Sequence, residues 1–170
     1  SKLSGGYNVH AVYNATHEIA VDLNECHMGL NNIATEPVRQ LHKMWNSFFE
    51  RSAANAQFLM ICHSQGVIHV MNSLLDYPPE LRERIIIVAI APGGYIYEEC
   101  CARVTHVRVK KHRDLVPRFD QKGAQRAKGT IIEDSHPNAS FFDHSFTSPT
   151  YRRELINSIR SYIAIQGQEI

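Results

Sequence analysis

Three side-chain types in this 170-residue chain could together cleave an acyl bond: a serine, a histidine and a carboxylate. A serine hydroxyl is a weak nucleophile until a base within hydrogen-bond reach takes its proton. The base needs a third group to fix its tautomer, and the developing oxyanion needs fixed N–H donors. Ser64 follows an apolar run, Phe58-Leu59-Met60-Ile61, and precedes Val67, Val70, Met71 and Leu74 at helical spacing. That pattern puts it in a turn leading directly from a strand into a helix. Such a turn predicts a strained serine backbone and a hydroxyl lifted above the sheet, with Gly66 letting strand and helix approach. The N–H of Gln65, at the start of the helix, would face the oxyanion, aided by the helix dipole.

Two histidines compete as the base: His144, in Asp143-His144-Ser145-Phe146, and His136, in Ser135-His136-Pro137. Asp114, Asp120 and Glu133 compete as the acid, whereas Asp143, adjacent to His144, is expected to point elsewhere. Each candidate also has a plain structural reading. Ser64 would serve as a turn serine or helix cap, Asp114 would bond its own backbone ahead of Pro117, and His144 would be a surface histidine. The histidines at 10, 17, 27, 42, 69, 106 and 112 form no pair with metal-ligand spacing.

Short apolar runs alternate with helical patterns, the signature of an α/β domain with a mostly parallel sheet. Strands are expected at residues 7–13, 57–62, 85–90, 104–109 and 130–132, five in all, with helices on both faces. Ile85 to Ile90 is apolar throughout, as in a central strand covered on both sides. Thr35 and Pro37 open a helix whose Val38, Leu41, Trp45, Phe48 and Phe49 share one face. A short helix is expected at residues 22–30. A last one opens near Ser148-Pro149, with Tyr151, Leu155, Ile159, Tyr162 and Ile163 on one side. Residues 118–129, with Arg118, Lys122, Arg126 and Lys128 around Asp120, read as a solvated loop, or as a flap attracting acidic substrates.

The stretch Cys62-His63-Ser64-Gln65-Gly66 resembles the nucleophile elbow, G-x-S-x-G, of lipases and esterases of the α/β-hydrolase superfamily, with cysteine in place of the first glycine. The resemblance covers residues 7–165. It implies a serine hydrolase whose acid and histidine follow the serine in that order, which selects Asp114, after the fourth strand, and His144, after the fifth. It also implies a second oxyanion donor after the first strand, at Ala15 or Thr16. The usual sheet of that superfamily has eight strands, so its first two and its fourth are missing. Residues 92–103 are too few for the helical lid that some members insert there. An open cleft lined by Tyr95, Ile96 and Tyr97 is therefore expected. The whole chain also resembles an uncharacterised family of chlamydial proteins, through Val12-Tyr13-Asn14-Ala15-Thr16-His17, Thr35-Glu36-Pro37-Val38-Arg39-Gln40-Leu41-His42 and the elbow. That implies a bacterial protein, with secretion as an effector into a host cell as one route.

The bulk properties agree with a single soluble domain over residues 1–170: 44% hydrophobic, 21% charged, net charge +1. This balance gives no general pull toward nucleic acid, and no apolar run approaches the length of a membrane span. Cys26, Cys62, Cys100 and Cys101 show no C-x-x-C spacing, so free thiols in a reducing compartment such as a bacterial or host cytoplasm are expected. The chain opens without Met and without a signal peptide, and so reads as a piece of a longer protein. The expected activity is cleavage of a carboxylic ester or thioester, from a small molecule or a lipid, without cofactor or metal. Acyl transfer to an alcohol would use the same residues. The alternative is a non-catalytic module that binds a protein partner on a hydrolase-like scaffold.

Overall fold

The computed structural model describes residues 9–11, 36–110 and 112–167. It is an α/β structure around a parallel sheet of four strands in the order β1-β2-β3-β4. The strands are β1 (Phe58–His63), β2 (Ile85–Ile90), β3 (Arg103–Val109) and β4 (Thr130–Glu133). The helices are α1 (Glu36–Phe49), α2 (Gly66–Leu75), α3 (Pro79–Arg82), α4 (Gln121–Arg126) and α5 (Arg152–Gly167). Of the first expected strand, at residues 7–13, residues 9–11 carry no secondary structure and the rest lies outside the described residues. The expected helix at residues 22–30 and the proposed cap Thr35 also lie outside them.

β2 is the centre of the molecule because all six of its residues are apolar and all are buried. Side chains alternate along a strand, so β2 feeds two cores. Ile85, Ile87 and Ala89 pack with Leu41, Trp45 and Phe49 of α1 and Val67, Val70 and Leu74 of α2. Val88 and Ile90 pack on the other face with Val107, Val109, Tyr151 and Leu155. Helices thus cover both faces, α1 and α2 on one and the start of α5 on the other. The stripe along α1 is the cause of its burial: Val38, Leu41, Trp45 and Phe49 recur at helical spacing and all four are buried.

Three expectations are corrected. Residues 118–129 are not an irregular loop: a 3-10 turn, Val116–Arg118, leads into α4. Asp120 starts α4 by accepting the N–H of Gly123 at 2.8 Å, a cap that apolar periodicity does not reveal. Tyr95 and Ile96 do not line an open cleft, because both are buried. Ile96 joins the α1–α2 core, and the Tyr95 ring lies 4.9 Å from that of His106. Tyr97 is half-buried, with the Arg126 guanidinium over its ring. Finally, α5 begins at Arg152 rather than near Ser148.

His106 is fully buried within β3, and its Nε2 accepts the N–H of Ile96 at 3.1 Å. Burial lowers its pKa to about 4. A base whose folded-state pKa is depressed takes up its proton more readily in the unfolded chain. Stability is therefore lost as pH falls from about 6.5 toward about 4. Urea melts should show a loss over that window that is shallower in His106→Gln; equal pH dependence in the two proteins would contradict this.

Candidate active site

Every strand runs parallel, so the loops carrying Ser64, Asp114 and His144 leave the sheet at one rim. The ladder between β1 and β2 ends at His63 and Ile90, and Ser64 extends it by donating its N–H to the Ile90 carbonyl at 3.1 Å. The next peptide must turn into α2, which begins two residues later. Ser64 accordingly takes φ 53°, in the left-handed region that costs a non-glycine residue about 1–2 kcal/mol. Two hydrogen bonds hold it there: the Ser64 carbonyl accepts from Val67 at 3.2 Å and from Gly93 at 3.0 Å.

The close approach at this turn is made by Gly93, not by Gly66. A side chain added to Gly66 would meet nothing within 4 Å, so the role expected for that glycine is not the one it plays. A Cβ on Gly93 would lie 3.1 Å from the Ser64 carbonyl oxygen and 3.4 Å from the Gln65 nitrogen. The chain reaches this position because Ala91, at the end of β2, also adopts a positive φ of 44°. The Pro92-Gly93-Gly94 run was the available signal, though as a strand terminator it does not disclose what Gly93 lies against.

The Ser64 hydroxyl lies 2.8 Å from Nε2 of His144. Nδ1 of the same ring lies 2.8 Å from Oδ2 of Asp114. A carboxylate can only accept, so Nδ1 carries the proton and the Nε2 lone pair faces the serine. Asp114 is buried and His144 partly exposed, which leaves the acid shielded and the ring open to a reactant. The two oxygens of Asp114 divide the work. Oδ1 accepts the N–H of Val116 at 3.0 Å, forming the local turn, while Oδ2 meets the histidine. The structural and the chemical readings of this aspartate therefore hold together.

The competing residues lie elsewhere. Asp120 is committed to Gly123 and to the N–H of Tyr95. Glu133 pairs with Arg153 at 2.8 Å. His136 accepts the Asn138 N–H on Nδ1. Gln65 is buried at the first turn of α2, beside the nucleophile. Ala15 and Thr16 lie outside the described residues.

Two residues with supporting roles were not apparent from spacing alone. His63 donates Nε2–H to the carbonyl of His144 at 2.6 Å, and its ring sits 4.9 Å from the His144 ring. Burial lowers its pKa, which keeps the ring neutral near pH 7. Asp143 is fully buried and organises the histidine loop. Its carboxylate accepts from Ser148 and Thr150, its carbonyl accepts from Tyr151 Oη, and its N–H donates to the Arg113 carbonyl at 2.9 Å. Burial alone would raise its pKa, but these hydroxyl donors outweigh burial and hold it below the usual range. The last bond ties the histidine loop to the residue preceding Asp114.

Among the described residues no group of His, Cys, Asp and Glu could hold a metal ion. Nor is any described helix long and apolar enough to cross a membrane. Cys62, Cys100 and Cys101 are free and buried. Burial pushes the Cys62 thiol up strongly, so it stays protonated two residues from Ser64.

The opposite placement of the two glycines yields a stability test. Gly66→Ala should be neutral or stabilise by up to about 1 kcal/mol, because alanine is the better helix former. Gly93→Ala should cost about 1–3 kcal/mol through crowding at the elbow. Urea denaturation of both variants checks the pair, and equal effects would contradict the assignment of the close contact to Gly93.

Residues 1–168 match the family model described as Protein of unknown function (DUF687), and the chain belongs to that family. No curated protein and no solved structure matches the chain.

Proposed function

We propose that this member of the DUF687 family is a serine hydrolase that cleaves a carboxylic ester or thioester through an acyl-enzyme on Ser64. The observation that carries this reading is the continuous line from Ser64 Oγ to His144 Nε2 and from His144 Nδ1 to Asp114, both steps at 2.8 Å. Three residues separated by 50 and 30 positions meet with the tautomer that nucleophilic attack requires. A structural serine has no need of such an arrangement. The positive φ of Ser64 adds weight, since strained backbone clusters where a side chain must be presented to a reactant. These features fit the resemblance to the α/β-hydrolase superfamily, with a reduced sheet.

In the proposed reaction, Ser64 Oγ attacks the carbonyl carbon as His144 Nε2 takes its proton. Asp114 stabilises the resulting imidazolium. The carbonyl oxygen becomes an oxyanion, received by the N–H of Gln65 and by a second donor assigned to Ala15 or Thr16. Collapse of the tetrahedral species expels the alcohol or thiol, which leaves with the proton held on His144. Water then attacks the acyl-enzyme, giving its proton to His144, and the second collapse returns that proton to Ser64 and releases the acid. No step calls for a metal or an organic cofactor. An acceptor alcohol replacing water in the second half would give acyl transfer from the same site.

A fluorophosphonate probe should label the wild-type protein at Ser64 and leave Ser64→Ala unlabelled. On p-nitrophenyl butyrate, Asp114→Asn should lower kcat by roughly 10⁴-fold, the scale at which loss of the correct histidine tautomer is felt. Labelling that persists in Ser64→Ala, or a folded wild type that neither labels nor turns over esters, would overturn the reading. The latter result would favour a non-catalytic module binding a protein partner.

A further inference from the structure

We propose that the rim around Ser64 seats on an anionic phospholipid bilayer and presents the acyl ester of a membrane lipid to the serine. The inference rests on the hydrolase reading and names the substrate class of that same site.

The first observation is where exposed apolar side chains fall. Among the described residues the large hydrophobic side chains left exposed are Val9, Leu75, Leu115, Phe119, Ile132, Phe141, Phe142 and Phe146. Five of these belong to the two loops that supply Asp114 and His144, and they include every exposed phenylalanine. Leu115 directly follows Asp114, and Phe146 lies two residues past His144 with its ring 5.8 Å from His63. Phe141 and Phe142 stand just before the histidine at 70% and 63% exposure, packed edge to face against each other. A pair of aromatic rings at such exposure costs free energy in water. Both loops leave the carboxyl ends of parallel strands, so the exposed rings gather on the rim that carries the nucleophile.

The second observation is charge. Among the described residues, the stretch 110–122 from the end of β3 into α4 carries Lys110, Arg113, Arg118 and Lys122 against Asp114 and Asp120, although the whole chain nets +1; Arg126 and Lys128 lie toward the amino end of β4, away from this rim. Asp114 is buried, Asp120 serves as a cap and Lys110 pairs with Asp134, which leaves Arg118 and Lys122 as the exposed basic groups of this segment beside Arg113. The Arg113 guanidinium lies over the Phe141 ring at 5.4 Å, joining basic and apolar character at one place. Beside it a polar cleft of about 320 Å³ is lined by Lys110, His112, Arg113, Asp134 and His136, with Lys110 and Asp134 paired to each other. Aromatic rings that enter the acyl boundary, with basic groups at headgroup level, are the pattern of a surface that docks on anionic lipid. An acidic protein partner is the competing occupant, and failure of vesicle binding would leave it standing.

The test separates docking from catalysis by using Ser64→Ala, which cannot turn over lipid. In sedimentation with vesicles of phosphatidylcholine and phosphatidylglycerol in equal parts, this variant should bind. It should bind more weakly to phosphatidylcholine alone and more weakly at high salt. Adding Phe141→Ser and Phe142→Ser should lower binding about tenfold or more. Phe119→Ser in the other loop should also weaken it, while Leu75→Ser, at the end of α2, should leave it unchanged. Circular dichroism melts confirm that each variant is folded. Free phosphate or glycerophosphate at millimolar concentration should not displace the protein if the bilayer itself is the ligand. Displacement by either, vesicle binding that ignores the paired phenylalanines, or no binding by a wild type that the fluorophosphonate labels would each overturn the proposal. Vesicle binding by a protein that the probe never labels would instead sink the hydrolase reading and leave the docking surface standing.

Discussion

The conformation of one peptide, between β1 and α2, is the constraint around which the site is arranged. Ser64 must leave the plane of the sheet, and an L-residue does so only by entering a disfavoured region of backbone space. The surroundings repay that cost from two directions: the β1–β2 ladder fixes its nitrogen through Ile90, and the backbone of Gly93 fixes its carbonyl. Because β2 is apolar and buried along its whole length, the strand that anchors the serine is packed on both faces. The strained residue is thus set against the close-packed centre of the sheet.

The histidine and its acid are organised differently, by polar contacts between loops. The Asp143 carboxylate gathers Ser148 and Thr150, and its N–H reaches back to Arg113, so the acid and histidine loops form one hydrogen-bonded unit. His63 joins that unit to β1 through the His144 carbonyl. Geometry at the rim therefore depends on hydrogen bonds that are mostly buried, where an unmade bond is expensive and alternative arrangements are few. Buried donors and acceptors here define position more than they add net stability.

The sheet was largely legible in the sequence because β1 and β2 are apolar runs bounded by turn residues and β3 alternates apolar and polar side chains. β2 matches its expected limits, β1 is shifted by one residue at both ends, and β3 begins one residue early. The helix α1 was legible for a different reason, its long aromatic stripe. In contrast, α4 has no apolar stripe; its Gln-Lys-Gly-Ala-Gln-Arg run is started by the Asp120 cap, which periodicity cannot detect. Tyr95 and Ile96 were misread because a connection too short for a helical lid suggested an open cleft, whereas the turn at Ala91 and the approach of Gly93 fold this segment into the core. At the site, residue type left rivals open and the order implied by the superfamily resemblance selected Asp114 and His144; in the structure Ser64, His144 and Asp114 lie in one hydrogen-bonded line. The supporting roles of Gly93, His63 and Asp143 depend on tertiary neighbours 29, 81 and 30 positions away in the chain, beyond the reach of any local pattern.

Cys62 gives the site a chemical signature of its own. Its sulfur is sealed inside the sheet, held in its protonated form and turned toward the Val88 carbonyl, although only one residue separates it from the serine. Reagents such as iodoacetamide or maleimide, which consume thiolates, have no purchase on it while the fold is closed. An electrophile that does react at this point of the chain will have done so at the serine oxygen or a neighbouring imidazole nitrogen, not at sulfur. Conversely, alkylation of this sulfur reports that the first strand has come away from its neighbour, so a single residue doubles as an intrinsic gauge of whether the elbow is intact.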